Sequence, residues 1–171
     1  MEEVYERIKG AQRIVIKIGT STLTYENGKV NIRQFDSIAR VVTDIKNSGR
    51  EVIVVSSGAG GVAMGKLGYS EKPKDMGAKQ AFAAVGQCEL MYMYDKMFSD
   101  YNSAVAQILL TKDDIDEPKR LANTRNTLDA LLRMHIIPII NENDTVATEE
   151  IEFGDNDTLS AYVAKFTEAE L

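Results

Sequence analysis

Ile136-Ile137-Pro138-Ile139-Ile140 runs directly into Asn141-Glu142-Asn143-Asp144-Thr145, and a few residues later comes Phe153-Gly154-Asp155-Asn156-Asp157. The first stretch is a short apolar run rich in β-branched residues, which reads as a buried strand. A buried strand that empties into amides and carboxylates delivers fixed polar groups to one spot. Three more runs of the same kind occur at 13–18, 52–56 and 104–110. Their near-continuous apolar character predicts strands covered on both faces, as in a parallel sheet. Helical patterns lie between them. The first covers 33–47, with Phe35, Ile38, Val41, Val42 and Ile45 on one stripe and Gly49 as its stop. A longer one covers 74–101, and a third covers 120–135 with Leu121, Thr124, Leu128, Leu131 and Leu132 inward. The alternation predicts an α/β protein: an open, mostly parallel sheet with helices on both faces, an αβα sandwich. The tail is expected to form a small hairpin over 148–153 and a helix over 156–167.

A chain of 171 residues is enough for one domain with a sizeable core. With 44% hydrophobic and 27% charged residues it is globular in composition, not disordered. The net charge of −6 argues against a nucleic-acid surface, because neutralising phosphates needs clustered Lys and Arg. Lys72-Pro73-Lys74 and Lys119-Arg120 are isolated groups. No apolar run approaches the ~18 residues of a membrane span. The start, Met1-Glu2-Glu3-Val4-Tyr5-Glu6-Arg7, lacks the apolar stretch of a secretory signal, so a cytoplasmic protein is expected. The lone cysteine, Cys88, cannot form an internal disulfide and reads as an inert core thiol. The segment 91–98 is apolar on more than one helical face, which fits either core packing or a subunit contact.

In an open parallel sheet, ligands bind beyond the carboxyl ends of the strands. Three loops fall there. Lys17-Ile18-Gly19-Thr20-Ser21 sets a lysine inside an otherwise apolar strand, which implies an anionic partner if the lysine is buried. Gly19 would let backbone N–H groups approach a phosphate, and Lys17 would neutralise its charge. A lysine snorkelling from an edge strand is the plainer alternative. Ser56-Ser57-Gly58-Ala59-Gly60-Gly61 precedes a helical segment near 62–67 and offers backbone donors to an anion, or else is a tight turn with a serine cap. It matches neither the Gly-x-x-x-x-Gly-Lys-Ser/Thr phosphate loop nor the dinucleotide glycine pattern. The third loop, with 154–157, supplies acceptors for an ammonium group and donors for a carboxylate. Asp155 or Asp157 is equally suited to capping the last helix. No His/Cys cluster exists, so no transition-metal site is expected. His135, the only histidine, ends a helix where its charge suits the dipole, and Ser57 has no triad around it.

At these residues the chain resembles the amino acid kinase family, and within it the N-terminal part of the glutamate 5-kinases. The likeness is carried in order by Val15-Ile16-Lys17-Ile18-Gly19-Thr20-Ser21, Val54-Val55-Ser56-Ser57-Gly58-Ala59, Ala83-Ala84-Val85-Gly86-Gln87 and Gln107-Ile108-Leu109-Leu110-Thr111. It continues through Asn123-Thr124-Arg125-Asn126-Thr127-Leu128, Pro138-Ile139-Ile140-Asn141-Glu142-Asn143-Asp144 and Gly154-Asp155-Asn156-Asp157-Thr158-Leu159-Ser160-Ala161. The resemblance implies phosphorylation of the side-chain carboxylate of L-glutamate by ATP with Mg2+, the first step of proline biosynthesis. It implies that Lys17, with Gly19 and Thr20, meets the transferred phosphoryl group, and that Asp157 orients catalytic lysines. Ser57, Asp144 and Asn156 would bind glutamate, with Gly58 and Ala59 as backbone donors. Self-association and feedback inhibition by proline are implied in the same way. The family pattern further implies a strand, an Asp-bearing nucleotide loop, a Gly-rich segment with a second lysine and often a PUA domain beyond Leu171. Residues 1–171 would then be the truncated, substrate-binding part of the kinase domain. The alternatives are a non-catalytic glutamate-binding or self-associating fragment, or another family member acting on acetylglutamate, aspartate or carbamate.

Overall fold

A computed structural model describes residues 6, 8–25, 27–69, 71, 73–146 and 156–171. Four parallel strands form one sheet: β1 (Arg13–Ile18), β2 (Glu51–Ser56), β3 (Val105–Leu110) and β4 (Ile137–Glu142), in the spatial order β1-β2-β4-β3. The helices are α1 (Thr20–Leu23), α2 (Ile32–Asn47), α3 (Ala59–Leu67), α4 (Met76–Ser99), α5 (Lys112–Asp116), α6 (Pro118–Arg133) and α7 (Asn156–Phe166). The expected open sheet with helices on both faces is the fold observed. The hairpin expected over 148–153 lies outside the described residues, as do Gly154 and Asp155.

The central strands divide their side chains between two cores, which is why their sequences are apolar at nearly every position. Val52 and Val54 of β2 and Ile137 and Ile139 of β4 face α1, α2, α3 and α4, packing with Leu23, Phe35, Val62, Leu90 and Tyr94. Ile53, Val55 and Ile140 face the other way, against Ile115, Leu128, Leu132, Leu159 and Val163 of α5, α6 and α7. Pro138 sits inside an interior strand at no cost to the ladder. The N–H of Ile137 points to β3, where it meets Ala104 O, so the position of Pro138 faces β2. The β2–β4 pairing begins only beyond it, at Val54↔Ile139.

This division fixes where a site can form. The chain leaves β2 toward the first helical layer (α3 and α4) and leaves β4 toward the second (α7), so the carboxyl ends of these neighbours part and open a crevice between them. Two closures hold the first layer. Gly58, with φ of 113°, is the left-handed cap from which α3 starts, a conformation that glycine adopts without strain. Gly86 of α4 lies so close to the start of α3 that a Cβ there would fall 1.8 Å from Ala59 O.

One expectation changes, and one left open gains an answer. Cys88 is exposed, because the inward stripe of α4 runs through Gly86, Gln87, Leu90, Met93, Tyr94 and Met97 and leaves position 88 on the outer side. Half of 91–98 is core: Met93, Tyr94, Met97 and Phe98 are buried, and Tyr92 is the exposed large side chain. His135 lies just past α6 with φ of 57°. There its N–H bonds Leu132 O while Ile136 N–H bonds Leu131 O, the Schellman ending that usually takes glycine. Among the described residues no helix is long and apolar enough to cross a membrane.

Candidate active site

The β2–β4 crevice holds a cavity of about 530 Å³. Its walls include Thr20 of α1, the run Ser57-Gly58-Ala59-Gly60-Gly61, Asn141, Glu142 and Asp144 after β4, and Asn156 at the start of α7. Pro73, Met76, Lys79, Gln80, Phe82 and Ala83 close the α4 side. Of the expected residues, Thr20, Ser57, Gly58, Ala59, Asp144 and Asn156 share this cavity. Lys17, Gly19 and Asp157 are not in its walls but adjoin them in the chain.

Backbone chemistry supplies the donors. The first intrahelical bond of α3 runs from Val62 N–H to Gly58 O, so the N–H groups of Ala59, Gly60 and Gly61 precede the helical ladder. A helix N-terminus of this kind carries partial positive charge and suits an anion. The floor is fixed by buried polar contacts. Asn156 Nδ2 lies 2.8 Å from Ser57 Oγ, 2.9 Å from Asn141 Oδ1 and 3.1 Å from Ser56 O, sharing its two protons among the three. Asn141, only 3% exposed, turns its own Nδ2 to Gln87 Oε1 at 2.8 Å. Ser57 N–H donates to Ile18 O at 2.9 Å, which ties the second loop to the end of β1. Tyr94 OH lies 2.8 Å from Ser56 Oγ, and burial pushes this phenol well above its ordinary pKa, so it serves as a neutral donor.

The lysine of β1 is placed differently. Its side chain is 32% exposed and β1 is an edge of the four-stranded sheet, so of the two readings the edge-strand lysine is the one found. Its Nζ pairs with Asp157 Oδ1 at 2.6 Å, and that carboxylate's side chain is 69% exposed. Asp157 lies in the first turn of α7. Gly19 has ordinary extended geometry, with φ of −81°, and a Cβ there would lie 3.8 Å from Lys17 Nζ. The absence of a side chain at 19 therefore keeps the space beside the ammonium clear rather than relieving the backbone.

The sequence marked Asn141 only as part of the third loop and gave no role to Gln87, Tyr94 or Lys79. The signal for Gln87 was a polar residue on the inward stripe of an otherwise apolar helix. Among the described residues Lys79 is the one cation in the cavity walls, which also include Glu142 and Asp144.

A sequence model of the amino acid kinase family matches residues 12–171. The chain belongs to the amino acid kinase family. It is 55% identical over 161 residues to a glutamate 5-kinase of Moorella thermoacetica, a match covering 94% of this chain and 43% of that protein. A glutamate 5-kinase of Clostridium perfringens is 51% identical over 167 residues, covering 95% of this chain and 62% of that one. The chain thus spans about half the length of these relatives. In structure it is similar to the UMP kinase of Ureaplasma parvum, with a TM-score of 0.59 at 16% identity over 92% of this chain and 65% of the other. At that identity the likeness establishes the fold alone. It fits an amino acid kinase chain with an open parallel sheet between two helical layers.

Proposed function

We propose that this chain forms the acid-binding part of a kinase that phosphorylates the side-chain carboxylate of L-glutamate. The observation that carries the reading is the cavity itself, whose lining brings together Ser57 and the start of α3 with Glu142 and Asp144. This is the complement of an amino acid, whose carboxylates need donors and whose ammonium group needs acceptors. Lys79 adds one positive charge, which favours an anion over a neutral amino acid. The names of the relatives support glutamate as that acid.

In this reading a carboxylate oxygen of glutamate attacks the terminal phosphorus of ATP, giving an acyl phosphate and ADP. Such a transfer asks for positioning and charge neutralisation more than for covalent work by the protein. Ser57, the N–H groups at 59–61, Asp144 and Asn156 hold the acid. Lys17 would stabilise negative charge on the migrating group, and Asp157, its ion-pair partner, would hold the lysine's direction. Mg2+ enters as the companion of the nucleotide phosphates. A place at the start of proline synthesis, a cytoplasmic location, self-association and feedback by proline belong to the same proposal.

The test is an ATP-dependent assay with the product trapped by hydroxylamine, on this chain joined to the C-terminal remainder found in the longer relatives. Formation of the hydroxamate from glutamate is expected, with acetylglutamate, aspartate and carbamate competing weakly. No product, or preference for one of those competitors, would sink the assignment. Calorimetry on the chain alone addresses the acid site directly: glutamate should bind better than MgATP.

A further inference from the structure

We propose that Gln87 is a positioning residue: from the buried face of α4 it locks the Asn141–Asn156 amide chain in the direction that Ser56 O and the Glu142 N–H favour, and so leaves the Ser57 hydroxyl as a donor to a carboxylate in the cavity. The inference rests on the carboxylate-binding role given to that cavity above.

An amide side chain has a donor end and an acceptor end, so fixing one link of a chain of amides fixes the next. Gln87 is 7% exposed and presents Oε1 to Asn141 Nδ2 at 2.8 Å. With Nδ2 committed there, Asn141 must turn Oδ1 the other way. It then accepts from Glu142 N–H and from Asn156 Nδ2, both at 2.9 Å. The donor end of Asn156 is thereby held in the crevice, 2.8 Å from Ser57 Oγ. A hydroxyl that accepts from Asn156 keeps its own proton for another partner, and Ser57 lines the cavity.

The opposite polarity is blocked at the far end. Were Asn156 turned over, its Oδ1 would face Ser56 O, now 3.1 Å from Nδ2, and two acceptors would confront each other. Were Asn141 turned over, Glu142 N–H would lose its acceptor. Gln87 Nε2 has no partner among the described residues. A buried donor without a partner costs stability, so the group that earns its place at position 87 is the acceptor. Two turns further along α4, Tyr94 OH meets Ser56 Oγ, which donates to Ser57 O at 2.9 Å. One helix face therefore holds both loops that frame the site, Gln87 through β4 and Tyr94 through β2.

The test compares Gln87→Met, which keeps the bulk and removes the acceptor, with Gln87→Glu, which restores an oxygen at that point. Leu90→Val, on the same buried face but outside the relay, controls for lost packing. Glutamate affinity is read by calorimetry and the Asn141 and Asn156 side-chain amides by 15N NMR. Gln87→Met is expected to weaken glutamate binding about tenfold and to shift the Asn156 amide signals. Gln87→Glu should return both most of the way, and Leu90→Val should lower the melting temperature without changing affinity. A Gln87→Met chain that binds within about twofold of the parent, with unmoved Asn156 signals, overturns the proposal. In the parent, one Asn141 side-chain proton should exchange slowly with solvent; fast exchange also overturns it, and that reading requires no variant to fold. A parent that fails to bind glutamate overturns the functional reading instead. The amide signals, moved by Met and restored by Glu without ligand, then decide the relay by themselves.

Discussion

The carboxyl ends of β3 and of the β2–β4 pair begin alike and finish differently. β3 and β2 run into polar residues that open a helix, and β4 runs into the polar residues Asn143 to Thr145. After β3, Thr111 N–H and Oγ1–H both donate to Asp114 Oδ2 at 2.7 Å, and Arg120 closes the other oxygen at 2.8 Å. These groups satisfy the Asp114 carboxylate, which is 18% exposed, while Asp114 and the half-exposed Arg120 also line a smaller cavity of about 350 Å³. In the β2–β4 crevice Asn156 bonds both Ser57 and Asn141. These three residues, with the start of α3, also line a cavity, and the Lys17–Asp157 pair near it in the chain is partly open to solvent. A polar cluster that closes on itself is a cap. One anchored beneath and open above is a site, and the difference lies in which lone pairs and protons remain to be used.

The largest effect that would sharpen this contrast is at Lys17. If the pair serves chemistry, Lys17→Ala should cut phosphoryl transfer by about 10³-fold, the scale of losing one stabiliser of transition-state charge. Stability should stay within about 0.5 kcal/mol of the parent, because an exposed ion pair contributes little. Kinetics and denaturant melts on the same preparations check both halves. A destabilised but fully active variant would place Lys17 with the structural group at β3 instead.

Next in size is Gly86→Ala, which attacks the anchoring beneath the crevice. The added methyl would meet Ala59 O at 1.8 Å and Ala59 C at 2.5 Å, so backbone at the start of α3 must move. A loss of about 2–3 kcal/mol is expected, with weaker glutamate binding, since Ala59 lines the cavity. Urea unfolding and calorimetry read the two effects. Unchanged glutamate affinity in a destabilised variant would show that α4 supports the fold without shaping the site.

Much of this arrangement was legible in the sequence because buried parallel strands announce themselves. The runs at 13–18, 52–56, 104–110 and 136–140 reappear with small shifts at their ends. β4 runs on through Asn141 and Glu142, residues with little strand preference, because pairing with Leu109 and Leu110 of β3 holds them extended. Helices α1 and α5, of four and five residues, are too short to show a period. The exposure of Lys17 depends on strand order, which local pattern does not encode. Gln87 escaped for a related reason: its partner is 54 positions away, and only the fold brings the two amides together.

The smallest expected effect separates two carboxylates that sequence alone leaves equivalent, Asp114 and Asp157, each in the first turn of a helix. Burial works against ionising Asp114, but the Thr111 N–H and hydroxyl and the Arg120 guanidinium outweigh it and hold the carboxyl below its usual range. A folded-state pKa below the unfolded one means stabilisation that is fully present above the ordinary carboxylate value of about 3.9 and lost as pH falls through the folded value. Asp114→Ala should therefore cost about 1 kcal/mol near neutrality, and the gap from the parent should narrow on acidification below about pH 4. Asp157→Ala should cost about 0.5 kcal/mol or less, since both partners of its ion pair are open to water. Denaturant melts of both variants and the parent between neutral and acid pH give the answer. If the two carboxylates cost the same and share one pH dependence, Asp157 is a second cap, and the open side of the crevice loses the residue that distinguishes it from the end of β3.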